Sequence, residues 1–193
     1  MSAPRSFASR PSDLIYFLFF LMHIPATLLV DCQALYPASY VPDIVKAIPA
    51  WYVGMSGDPL IGGVMDYLGD GPNLVWFKTF LYLEAIFQLP VFVLGARGLW
   101  KDNQGIYTLL AIYGASTSTT TLACLGILAN TPTTSPETIA AEVVSITLEQ
   151  RLMLFSSYIP FFLVPLYMAV DMAWRVQKLV TLGVRHAETI KQQ

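Results

Sequence analysis

Two carboxylic acids stand in this sequence where carboxylic acids are expensive. Glu84 lies well inside an apolar stretch that runs from about Val75 to Leu94, and Asp31 lies near the far end of another, Leu14 to about Leu35. A charged side chain at the centre of a bilayer costs roughly 2.5–3.5 kcal/mol on insertion scales. Each acid therefore needs compensation, and the other acid is the leading candidate. Two neighbouring acids in a medium of low dielectric do not easily both ionise, so the pair is expected to share a proton. The deeper Glu84 is expected to keep it and to donate a hydrogen bond to ionised Asp31. One net negative charge in an apolar, aromatic-lined pocket suits a hydrophobic cation, to which Tyr and Phe faces add cation–π attraction. It also suits a sterol-like lipid whose hydroxyl needs one polar anchor. The same two acids could nominally serve as acid and base in moving a double bond.

Four further polar residues lie on the spans near these acids. Gln88 follows Glu84 at i+4 and so shares its helix face, and Thr27 precedes Asp31 at the same spacing. Glu84 sits roughly 13 Å in from its end of the helix, at about 1.5 Å per residue. Thr120 and Tyr158 fall at matching levels of two later spans. Four helices would then bring Asp31, Glu84, Gln88, Thr120 and Tyr158 around one cavity. Plainer readings stand beside this one. Gln88 and Thr120 are equally suited to bonding helix to helix. His23 reads as a hydrogen-bonded core residue, Asp171 with Arg175 at i+4 as a surface ion pair, and Asp58-Pro59 as a turn.

The elements that must hold these groups follow from composition. Of 193 residues, 55% are hydrophobic and only 12% charged, with a mean hydropathy of +0.55. Soluble domains carry about 25% charged residues, so half that figure indicates a membrane protein. The net charge of −2 with no basic stripe argues against nucleic acid as a partner. Cys32 and Cys124 form no metal or redox motif and read as small core residues rather than a disulfide. No metal or cofactor is expected. Apolar runs at Leu14–Leu35, Val75–Leu94, Ile106–Ala129 and Leu152–Trp174 each approach the roughly 20 residues that a span requires. The fold class expected is an all-α membrane protein, a bundle of four transmembrane helices enclosing a central-to-luminal pocket.

Between the first two spans the chain is rich in Pro, Gly and Tyr but poor in charge, and it is expected to fold as a cap, with a short amphipathic helix over Val41–Val53. The run Ser116–Thr121 places hydroxyls that can bond to carbonyls one turn back. Residues 1–13 read as a mobile cytosolic segment, 14–174 as the membrane domain and 175–193 as a cytosolic tail. Arg5, Arg10, Arg97, Lys101, Arg175, Lys178, Arg185 and Lys191 fall on one side of the spans, against Lys46, Lys78 and Arg151 on the other. By the positive-inside rule both termini are cytosolic, and an even number of spans agrees.

As a set, these residues resemble a known family. Span one has Tyr16-Phe17, then His23-Ile24-Pro25-x-Thr27-Leu28-x-x-Asp31-x-Gln33. The first loop has Asp58-Pro59-Leu60. Span two has Trp76-Phe77-Lys78-x-Phe80 and Glu84-x-x-Phe87-Gln88-Leu89-Pro90, and span four has Arg151-Leu152 and Tyr158-x-Pro160. In this order, over roughly residues 14–170, they resemble the sigma-2 receptor family of the EXPERA-domain superfamily, relatives of the emopamil-binding sterol isomerase. The resemblance implies a homodimer in the endoplasmic-reticulum membrane, linked to sterol homeostasis. It implies Asp31 as counter-ion for amine ligands, Glu84 as its support, and Asp58, Gln88, Thr120 and Tyr158 as ligand-linked positions. Phe161 departs from it, standing where the family has a second tyrosine. The function expected is non-catalytic binding of a sterol or cationic amphiphile. The alternatives are a sterol double-bond isomerase, against which the His/Glu-rich motif of that branch is missing, and a factor assisting protein targeting to mitochondria.

Overall fold

The computed structural model describes residues 4–68 and 74–191; Gly69, Gly71 and Pro72 of the first loop lie outside them. Among the described residues four helices are long and apolar enough to cross a membrane, in the spans Pro11–Leu35, Val75–Trp100, Gln104–Asn130 and Leu148–Lys191. Among the described residues the extended pairing is limited to an isolated bridge between Thr133 and Ile146. The all-α architecture is the one composition called for.

Helix α1, Pro11–Leu29, opens on a proline, whose missing N–H costs nothing at a helix start. Its α-helical ladder ends at Val30, whose N–H still reaches Ala26 O at 2.9 Å. The chain then tightens into 3-10 turns over Asp31–Leu35. Asp31 thus sits where the geometry of the first span changes.

The connection to the second span is a folded cap. Helix α2, Asp43–Ser56, is longer than the sequence suggested, and Gly57, at φ 65, turns the chain into the short helix α3, Pro59–Val64. Such a left-handed position favours glycine, which has no Cβ to clash. Val53, Leu60 and Ile61 of the cap bury against Phe77, Leu81 and Cys124 of the spans. Trp51, 66% exposed, stays on the outer face.

Helix α4, Val75–Trp100, is interrupted by a π turn over Glu84–Gln88, in which the Leu89 N–H reaches back five residues to Glu84 O. Pro90 supplies the cause. It has no N–H for the Ile86 carbonyl, and its ring would press on that carbonyl in a regular helix. One extra residue in the turn relieves both conflicts.

Helix α5, Tyr107–Asn130, is followed by the one-turn α6, Pro136–Ala140, and by α7, Leu148–Lys191. The backbones of α5 and α7 pack closely at Gly114, where a Cβ would meet Pro165 O at 2.5 Å and Ala169 N at 2.8 Å. Small residues permit such approaches between membrane helices. The hydroxyls of Ser118, Thr119, Thr120 and Thr121 bond to carbonyls three or four residues back, as the sequence suggested. Arg151 covers the end of α5, donating to Leu128 O at 2.8 Å, Ala129 O at 3.2 Å and Thr131 O at 2.5 Å. These carbonyls would otherwise lack intrahelical partners. Cys32 and Cys124 are buried and free.

The core at the opposite end is aromatic, built from Tyr16, Phe20, Phe92 and Tyr113 with Met168 and Met172. Phe7 of the N-terminal segment packs against it. Phe7 packs on Phe17 and Trp100 with centroids 5.2 and 5.8 Å away. Arg10 and Asp13 are buried and paired at 2.7 Å. At the other terminus α7 continues past Trp174 to Lys191 without a break. Asp171 and Arg175 do pair, at 2.7 Å, but not as an isolated surface pair. Arg175 also reaches Asp13 at 2.5 Å, and Tyr16 Oη donates to Asp171 Oδ2 at 2.9 Å.

Candidate functional site

All four spans and the cap contribute to a cavity of about 230 Å³ in the half of the bundle beneath α2 and α3. Span one supplies His23, Ala26, Val30 and Asp31. The first half of α4 supplies Phe77, Phe80, Glu84 and Gln88, the middle of α5 Thr117, Thr120 and Thr121, and α7 Tyr158 and Phe161. Five of the six residues expected at the site, Asp31, Glu84, Gln88, Thr120 and Tyr158, therefore meet around one space.

The π turn shapes one wall. It spans Glu84 to Gln88, and both ends line the cavity. Single π turns in otherwise α-helical segments frequently mark functional sites. Ile86, between them, is 76% exposed and faces away from the bundle.

The two acids occupy different settings. Glu84, with 13% of its side chain exposed, accepts a hydrogen bond from Thr27 Oγ1 at 2.5 Å and lies 3.7 Å from His23 Nε2. Asp31 is half-buried on the cavity wall. Among the described residues no hydrogen bond joins Asp31 to Glu84, so the bond expected between them is made to Glu84 by Thr27 instead. Thr27 was legible as the residue one turn before Asp31, yet its hydroxyl serves the acid on the neighbouring helix.

Asp58 is not on the cavity wall. It is fully buried, and its oxygens have four donors. Oδ1 accepts the Leu60 and Ile61 amides at 2.8 and 3.1 Å, capping α3. Oδ2 accepts the Tyr52 and Tyr158 hydroxyls at 2.8 and 2.7 Å. Both tyrosines line the cavity. Burial and the neighbouring Asp58 raise the pKa of the Tyr52 phenol, which therefore remains a donor. Asp58 bears on the cavity through these two rings. Thr120 Oγ1 donates to Thr117 O at 3.0 Å. Phe161 puts an apolar edge beside His23 at 4.6 Å, and His23 also stacks on Phe92 at 4.4 Å.

An acid-bearing, aromatic-walled cavity among four helices long and apolar enough to cross a membrane marks a multi-pass membrane protein. Its sequence matches the pattern of the EXPERA family (EXPanded EBP superfamily) over residues 44–172. It is 34% identical to the sigma intracellular receptor 2 of Xenopus tropicalis, over 85% of this chain and 89% of the relative. The human sigma intracellular receptor 2 is 33% identical over 89% and 92% of the two chains. A Saccharomyces cerevisiae protein, efficient mitochondria targeting-associated protein 19, is 28% identical over 78% of this chain and 91% of its own. The chain belongs to the EXPERA superfamily and, within it, to the sigma-2 receptor family.

Proposed function

We propose that this protein binds a sterol or a hydrophobic amine in the cavity between its four spans, in the endoplasmic-reticulum membrane, as a non-catalytic receptor or carrier. One observation carries the reading: Asp31 and Glu84 line the same otherwise largely apolar space. Asp31 makes no hydrogen bond or ion pair among the described residues, which leaves its carboxylate for a ligand ammonium or hydroxyl. Glu84 keeps the proton of the pair and is held by Thr27. Gln88 and Thr120 contact the ligand's polar end, Tyr158 closes the space, and Asp58 acts by fixing Tyr158. Charge-assisted contacts of this kind are worth about 1.5–3 kcal/mol, and aromatic faces add to them for a cation.

Asp31→Asn tests the reading. It preserves shape and removes the anion, so the purified variant should remain folded and lose binding of a hydrophobic amine. Unchanged affinity ends the proposal.

The protein acts as a homodimer with both termini in the cytosol. The excess of Lys and Arg at the end of the bundle away from the cavity supports the orientation. Protease protection of tags at the two ends tests it, and crosslinking in intact membranes tests the dimer.

A second reading rests on His23 and Glu84. Their 3.7 Å separation beside an apolar cavity resembles an acid–base pair for sterol double-bond isomerisation. Rescue of the sterol profile in an isomerase-deficient strain would favour it. The likeness to the yeast mitochondria-targeting-associated protein supports a third, an endoplasmic-reticulum factor assisting precursor targeting. Membrane pull-downs with Asp31 and Glu84 both neutralised separate that role from ligand binding.

A further inference from the structure

At the end of the bundle away from the cavity, the start of α1, the turn after α4 and the middle of α7 enclose a groove of about 370 Å³. Four lining residues carry positive charge, Arg5, Arg10, Arg175 and Lys178, and no carboxylate lines it among the described residues. The acids of this end lie behind the cations. Asp13, 1% exposed, receives Arg10 and Arg175. Asp171 holds Arg175 at 2.7 Å and Asp102 holds Arg5 at 2.7 Å. Each acid fixes an arginine without entering the groove. Lys178 has no carboxylate within ion-pair distance among the described residues; its Nζ rests 3.8 Å over the Trp174 ring. Four cations against three acids leave the groove positive, and exposed Arg97 and Lys101 at the same end add to the surplus.

Two further features suit an anion. Ser9 and Ser12 add hydroxyls to the lining. Helix α1 begins here with no side-chain cap on its first amides, which contributes the positive end of its dipole. Trp174, which carries Lys178 of the groove over its ring, and Trp100, packed on Phe7 at the same end, are each 62% exposed, and exposed tryptophans favour the membrane–water boundary. The groove therefore lies at headgroup depth. Phosphate oxygens accept charge-assisted bonds from guanidinium and ammonium groups, and basic pockets between spans hold phospholipid headgroups.

We infer that this groove binds the phosphate headgroup of an anionic membrane lipid, phosphatidic acid being its simplest form. The site is separate from the acidic cavity and its test does not depend on what the cavity holds.

The full chain, purified in mild detergent, is mixed with dioleoyl phosphatidic acid or dioleoyl phosphatidylcholine, and bound lipid is counted by native mass spectrometry. Phosphatidic acid should be retained in preference. Arg5→Gln combined with Lys178→Gln should weaken its binding about 30-fold, or about fivefold per cation. Lys178→Gln alone breaks no ion pair, so it carries the test, with a fivefold loss, should the double variant unfold. Equal retention of the two lipids, or retention indifferent to Lys178, overturns the inference. So does displacement of phosphatidic acid by millimolar inorganic phosphate, which would mark a site for a free anion.

Discussion

Tyr158 Oη donates to Asp58 Oδ2 at 2.7 Å and so ties the cavity wall on α7 to the residue that caps α3. The two lie 100 positions apart, and the bond is matched by one from Tyr52 to the same oxygen. A single buried carboxylate thereby sets the cap against the spans and two aromatic rings against the cavity.

Asp58→Asn should expose this dependence. Asparagine keeps an oxygen for the α3 cap but offers an amide where two hydroxyls need an acceptor. Leaving both buried hydroxyls unsatisfied costs about 2–4 kcal/mol. Thermal unfolding in detergent should show that loss, together with weaker ligand binding. In a background of Tyr52→Phe and Tyr158→Phe the same substitution should cost under about 1 kcal/mol, because the orphaned donors are gone. An equal loss in both backgrounds would assign the role of Asp58 to the α3 cap alone.

Gly114 and Gly126 lie on the same helix and should respond oppositely to alanine. At Gly114 the new methyl meets the backbone of α7, which cannot rotate away, so Gly114→Ala should destabilise by about 1–3 kcal/mol. At Gly126 nothing lies within 4 Å of the added Cβ, and Gly126→Ala should be neutral or stabilise by up to about 1 kcal/mol. Paired melting curves check both.

Asp102 supplies a pH dependence at the other end. Its carboxyl is held at about 2 by the hydrogen bond from Arg5, well below its ordinary 3.8. A depressed folded-state pKa contributes stability above the unfolded value and loses it as pH falls through the folded one. The Arg5 tether should therefore hold at neutral pH and release between about pH 4 and pH 2. Phe7 leaves Trp100 when it does, so tryptophan emission should change over that interval. In Asp102→Asn the change should already be present at neutral pH.

What the sequence showed of this site follows from cost. Acids, an amide and a threonine inside apolar runs need a reason, and that need alone points to Asp31, Glu84, Gln88 and Thr120. Groups whose partners are distant in sequence were not legible. Asp58-Pro59 reads locally as a turn, and only the fold brings Tyr52 and Tyr158 to it. Asp171 and Arg175 explain each other at i+4, which hid Asp13 and Tyr16 behind them. The π turn left one trace, Pro90, and a proline in a membrane helix more often signals a kink. The length of α7 was missed because its apolar run stops near Trp174 while its helix-forming residues continue to Lys191.

The Thr27–Glu84 bond separates the two acids by role and gives the sharpest prediction. If Glu84 supports Asp31 while holding the shared proton, glutamine is a fair substitute. Its carbonyl can still accept from Thr27 Oγ1, and its amide can donate as the acid would. Glu84→Gln should then keep hydrophobic-amine binding within about threefold, since no charge is lost from the bound state. Thr27→Val removes the donor and leaves the acid's oxygen unmatched. It should lower both stability and affinity, each by about 1–2 kcal/mol. Asp31→Asn should lose binding altogether while melting close to the parent. Radioligand or calorimetric titration of the three purified variants orders them. A Glu84→Gln variant as inactive as Asp31→Asn would place the ligand's counter-ion on α4 rather than at the end of α1, and the pairing argument would fail.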